Sequence, residues 1–125
     1  MSKINVNKAA EEIAQALTEY DQNISDMVKK ITADVAKESV DELRRTSPKL
    51  TGSYRRGWRQ RQSYSDKRTQ RNTVYNATDY QITHLLEHGH ASRNGGRVQA
   101  IPHIAPVEQK SIETLRKRIE AVISK

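Results

Sequence analysis

Between residues 7 and 46 the apolar side chains recur every three or four positions, a spacing that commits a large part of the chain to helix. Ala10, Ile13, Leu17 and Tyr20 form a first track, and Ile24, Met27, Val28, Ile31, Val35, Ala36, Val40 and Leu43 a second. Lys, Asp, Glu and Ser fill the intervening positions, so a single stripe is apolar and the remaining surface faces solvent. The residues Tyr20, Asp21, Gln22 and Asn23 favour turns and N-caps, which predicts an interruption between the two tracks. The longer helix is expected to end near Arg45 and Thr46, because Pro48 disfavours helical geometry at Ser47. Arg44 and Arg45 in its last turn suit the negative end of the helix dipole.

Residues 47–54 read as a Pro-, Gly- and Ser-rich loop. From Tyr54 the pattern changes to alternation, with Tyr54, Arg56, Trp58, Gln60, Gln62 and Tyr64 on one side and Arg55, Gly57, Arg59, Arg61 and Ser63 on the other. Residues 65–72 then form a polar hairpin connection and residues 72–77 the returning strand. Tyr80, Ile82, Leu85 and Leu86 restore helical spacing until Gly89. Residues 89–101 show no period and are expected to be a mobile loop, with an extended piece around 98–101. Val107, Ile112, Leu115, Ile119, Val122 and Ile123 describe a last helix. The expected fold class is α+β: a small antiparallel sheet packed by a long N-terminal helix and a C-terminal helix. The boundaries are helices at about 7–46, strands at about 54–78, a short helix at 79–88, the loop at 89–101 and a helix at 104–124, within a single domain over 1–125.

The material for a core is scarce. Hydrophobic residues make up 34% of the chain and Phe is missing, so burial depends on Ile, Val, Leu, Ala, Trp58 and a few tyrosines. That suits an extended architecture, or a subunit that completes its burial in an oligomer. Without cysteine, disulfides and thiolate metal sites are excluded. No apolar run approaches a membrane span, and the expectation is a soluble protein made in a cytoplasm without a signal peptide. The net charge of +7 is concentrated in residues 44–71, where ten basic residues face only Asp66.

Two motifs could carry chemistry. His84, Glu87 and His88 spell H-x-x-E-H, the signature of a zinc peptidase, in which the two imidazoles share a helix face and the glutamate serves as base. His90 and His103 could complete a ligand set. The competing reading places the histidines on an exposed or interfacial helix face, with Leu85 and Leu86 supplying the core. The second motif is the basic strand with Arg55, Arg59 and Arg61 on one face. It could bind nucleic acid, form salt bridges between subunits, or be a solvated face. Trp58, opposite most of these arginines, is expected in the core. No phosphate-binding loop, nucleophile elbow or paired-carboxylate arrangement appears, and neither an enzyme nor a cofactor is expected.

Four landmarks in order carry a resemblance: a helix running into "ELRRTSPKLTGSYRRGW", a polar hairpin ending "VYNATDYQITHLLEHG", a Gly-rich loop, and "IPHIAPV" before a last helix. Together they resemble the gene-product-ten-like tail-completion or head–tail joining proteins of long-tailed bacteriophages and prophages, also called minor capsid proteins. The family's motifs fall on Ser47, Pro48, Thr51, Gly52 and Trp58, on Tyr80, Leu86, Glu87 and Gly89, and on Pro102, His103 and Pro106. Gln81 stands where the family often has a small residue. The resemblance implies a structural subunit of the virion neck, assembled from the host cytoplasm into a homo-oligomeric ring, commonly a hexamer. Its implied neighbours are head-connector and tail-tube or tail-terminator proteins. Arg55, Arg56, Arg59 and Arg61 become candidates for an interface or for a lumen through which double-stranded DNA passes. Glu87 is expected as a helix-end carboxylate meeting an arginine of its own or a neighbouring chain.

Overall fold

A computed structural model describes residues 6–50, 52–92 and 95–124, with the side chains of 6–10, and so Ala10, left outside the description. The two expected N-terminal helices are one: α1 runs unbroken over Val6–Thr46. Turn-favouring residues lower helix propensity by only tenths of a kcal/mol each, roughly up to 0.7. Here Asp21 and Gln22 have tertiary partners instead of capping roles. Asp21 pairs with Arg68 at 3.0 Å, and Gln22 Nε2 donates to the Lys67 carbonyl at 2.9 Å.

The predicted strand starts later than its alternation. Gly52, at φ 95°, turns the chain into a single helical turn, α2 (Ser53–Arg56), and β1 follows at Trp58–Ser65. Tyr54 and Trp58 are four apart, so their shared burial fits a helical turn leading into a strand as well as it fits pure alternation. Arg55 therefore lies on α2, off the strand face that carries Arg59 and Arg61. β1 pairs antiparallel with β2 (Gln70–Asn76), from Trp58 opposite Asn76 to Ser65 opposite Gln70, with a bulge between Gln62 and Tyr64. The connecting turn is closed by Asp66, whose Oδ1 accepts from the backbone of Arg68 at 2.9 Å and of Thr69 at 2.7 Å.

After α3 (Tyr80–His88) the segment expected as a patternless loop contains a short hairpin, β3 (His90–Ala91) paired with β4 (Arg97–Val98). The extended piece thus lies earlier than expected. Gly89 makes the corner at φ 75° and ψ 176°, and a Cβ there would lie 2.6 Å from the Val98 carbonyl. Gly89→Ala is accordingly expected to cost on the order of 3 kcal/mol, measured as a shift in the urea midpoint. The last element is α4 (Ile104–Ile123).

The two long helices and the main hairpin enclose a small core of Val40, Leu43, Tyr54, Trp58 and Val107, with Val74, Ile82, Leu86 and Ile104 packed around it. This is the α+β arrangement expected, with two separate two-stranded sheets. Outside the core, Arg118 grips Glu38 through two hydrogen bonds, 2.5 and 2.7 Å, joining α4 to α1. Ser39 and Ser111 meet between the same helices at 2.5 Å. No described helix is long and apolar enough to cross a membrane.

Candidate functional site

The motif residues that the sequence scatters over 47–106 converge where the end of α1, α2, the end of α3 and the start of α4 meet. Glu87, in the last turn of α3, is buried and turns towards α4. Its Oε1 accepts from the backbone N–H of His103 and of Ile104, both at 2.8 Å, and its Oε2 from that of Ala105 at 2.9 Å. These are the unsatisfied donors of a helix start, held by a carboxylate from another helix. Burial works against the charged form of Glu87, but the three N–H groups and nearby His103 outweigh it, and its carboxyl stays below the ordinary value. The expected arginine partner is thus replaced by backbone amides.

His103 extends the cluster. Its Nδ1 lies 2.8 Å from the Ile101 carbonyl and 3.1 Å from Glu87 Oε1, and its Nε2 lies 2.6 Å from the Tyr54 hydroxyl. Two acceptors beside Nδ1 assign it the proton, leaving Nε2 to accept from Tyr54. Burial pushes the Tyr54 hydroxyl above its ordinary value, which keeps it a neutral donor. The rings of Tyr54, Trp58 and His103 pack edge to face, with centroids 5.5–6.4 Å apart. Trp58 Nε1 donates to Ser47 Oγ at 2.8 Å, and Arg55 Nε donates to the Ser47 carbonyl at 2.6 Å. Arg44 closes the junction by donating twice to the Trp58 carbonyl, at 3.2 and 2.8 Å.

Carboxylate, imidazole and hydroxyl stand in the order of a hydrolytic relay. The geometry closes that route at this cluster, because Tyr54 has 0% exposure and both Glu87 oxygens are occupied by backbone donors. What the arrangement does is lock three segments together.

The zinc pattern comes apart in three dimensions. His84 and His88 are exposed, with perpendicular rings 6.2 Å apart, while Glu87 and His103 face the buried junction. Among the described residues no three His, Cys, Asp or Glu side chains form a group that could hold a metal.

The remaining motif positions divide between the junction and the surface. Pro48 is half-buried beside Ser47, Trp58 is buried as expected, and Thr51 lies outside the described residues. Tyr80 opens α3 but is exposed, as are Pro102 and Pro106 at the start of α4. Arg56 at the end of α2 and Arg59 and Arg61 on β1 are exposed. Arg59 bonds the carbonyls of Arg56 and Trp58, and Arg61 lies over the Tyr75 ring at 5.5 Å. Sequence reasoning missed Asn76, which is buried, donates to the Tyr54 carbonyl at 2.7 Å and accepts from the Asp79 amide at 2.8 Å. Its place as the last polar residue of a strand before a turn was the available signal.

No match is found among curated proteins or among solved structures. A family model described as "Bacteriophage HK97-gp10, putative tail-component" matches residues 11–89, more than half of the chain, from within α1 to Gly89. On that match the chain belongs to the HK97-gp10-like family of bacteriophage tail components.

Proposed function

We propose that the protein is a non-catalytic subunit of the phage neck, a tail-completion or head–tail joining protein that forms a homo-oligomeric ring, in the manner of a hexamer, at the head–tail interface of the virion. The observation that carries this reading is the first half of α1, where Ile13, Leu17, Tyr20 and Met27 leave an apolar stripe in solvent. A stripe of this kind on a chain with so small a core marks a surface completed by assembly. Family membership supplies the setting, a phage tail. In the ring, Arg56, Arg59 and Arg61 face either the double-stranded DNA of the lumen or an acidic neighbouring ring of connector, tail-tube or tail-terminator protein. The buried junction around Glu87 serves this role by fixing α4 against α1, so that each subunit presents the same surfaces.

Light scattering coupled to sizing, on the full chain alone and mixed with its tail partners, tests the reading. A discrete multimer is the expected result. A strict monomer at high concentration and in the presence of those partners would overturn the ring.

A further inference from the structure

This chain carries an exposed apolar stripe and, elsewhere, an open groove floored by core residues. One is the arm formed by the start of α1, where every residue from 11 to 20 is exposed. Ile13, Leu17 and Tyr20 are 61%, 63% and 59% exposed, and with Ile24 and Met27 they follow the 4-3-4-3 spacing of a helix seam. The other is a groove of about 870 Å³ between α1, β2 and α4, with Val35, Leu43, Val74, Val107 and Leu115 in its walls. Ile112, 59% exposed, and Arg61 also line it.

We propose that this groove receives the α1 arm of a second copy of the chain. The inference rests on the ring-subunit reading and names the contact between neighbours.

The arm cannot fill its own groove. Tyr20 and Val35 are on the same continuous helix, and at 1.5 Å per residue they are separated by roughly 22 Å along its axis. Folding back would require breaking α1.

Charge selects the partner surface. Residues 9–28 contain Glu11, Glu12, Glu19, Asp21 and Asp26 and no basic residue. Glu12, Glu19 and Asp26 are spaced by seven and form a row on the polar face, roughly 120° around the helix from the centre of the apolar stripe. Two arms pairing with each other would bring two acidic segments together. The hairpin beside the groove is the complement: residues 58–71 hold five Lys and Arg against Asp66 alone, and of these Arg68 already pairs with Asp21 of its own α1. Among the described residues Glu11, Glu12 and Glu19 form no ion pair, and neither do Arg59 and Arg61. An arm seated in the groove brings an acidic helix beside that basic strand.

The contact joins two different patches, so it is heterologous. Repeated around an axis it closes a ring, and without closure it gives a filament.

The chain contains no cysteine, which makes thiol crosslinking of the full-length protein clean. Leu17→Cys and Ile112→Cys, both at exposed positions, are treated with a short bis-maleimide. The double variant is expected to give a ladder of multimers. Either single variant alone is expected to remain monomeric, and an equal mixture of the two to give dimers and nothing larger, at least about tenfold above either single. Self-crosslinking of Leu17→Cys as strong as that of the mixture overturns the proposal in favour of arm–arm pairing. Capture of Leu17→Cys only by an added tail partner overturns it in favour of that partner. If the mixture fails to crosslink while the unmodified chain forms a discrete multimer by scattering, the docking falls and the ring stands. If crosslinking fails and the chain stays monomeric with its partners, both fall.

Discussion

Glu87→Gln is expected to destabilise the fold by about 2–4 kcal/mol at neutral pH, although the change preserves size and shape. A glutamine keeps one oxygen, which can accept from His103 and Ile104, but it turns an N–H₂ group towards the amide of Ala105. The lost interaction is charge-assisted and buried, which places it at the strong end for single hydrogen bonds. The carboxyl is held below its ordinary value in the folded chain, so its contribution is full above the unfolded value of about 4.3 and is lost as pH falls through the folded value. Urea midpoints of the parent and variant should therefore differ at pH 7 and converge in acid. An equal difference across that range would mean that the Glu87 charge is not what holds the start of α4.

Trp58→Ala should cost about 3–5 kcal/mol, a large share of the roughly 5–15 kcal/mol of a whole domain. It empties the centre of the core between Leu43, Tyr54 and Val107 and leaves Ser47 Oγ without its indole donor. Ser47→Ala removes the same hydrogen bond from the other side and is expected to cost about 1–3 kcal/mol. Trp58 is the only tryptophan, so unfolding should be followed by circular dichroism. Because the two residues are in contact, the double variant should be less destabilised than the sum of the single changes. Strict additivity would show that the indole–hydroxyl bond contributes nothing.

These two residues also show how far the sequence could be read. The burial of Trp58 was legible because few alternatives existed in a chain so poor in aromatics. The helices α1 and α4 were legible because a stripe repeated over many turns leaves little ambiguity of period. At Tyr54 only two turns of pattern were available, and alternation and helix predicted the same buried positions. The break expected at Tyr20–Asn23 failed because the partners of Asp21 and Gln22 are at the hairpin tip, some 45 residues away. Glu87 was the hardest case. H-x-x-E-H draws attention to neighbouring histidines, whereas its real partners are backbone amides, which carry no letter in the sequence. His103 was flagged by resemblance, and only the fold brings its ring between Glu87 and Tyr54.

The continuity of α1 has a mechanical consequence. Its 41 residues form a rod of about 60 Å, and the part before Asp21 stands clear of the hairpin. Reach and rotational phase of that rod can therefore be adjusted separately. Adding seven residues near its start lengthens it by about 10.5 Å and returns the apolar stripe to within about 20° of its former direction. Adding one residue barely changes the length but turns everything beyond it by about 100°. Relatives of this chain could thus vary the span of the arm in heptad steps while keeping the core around Trp58 unchanged.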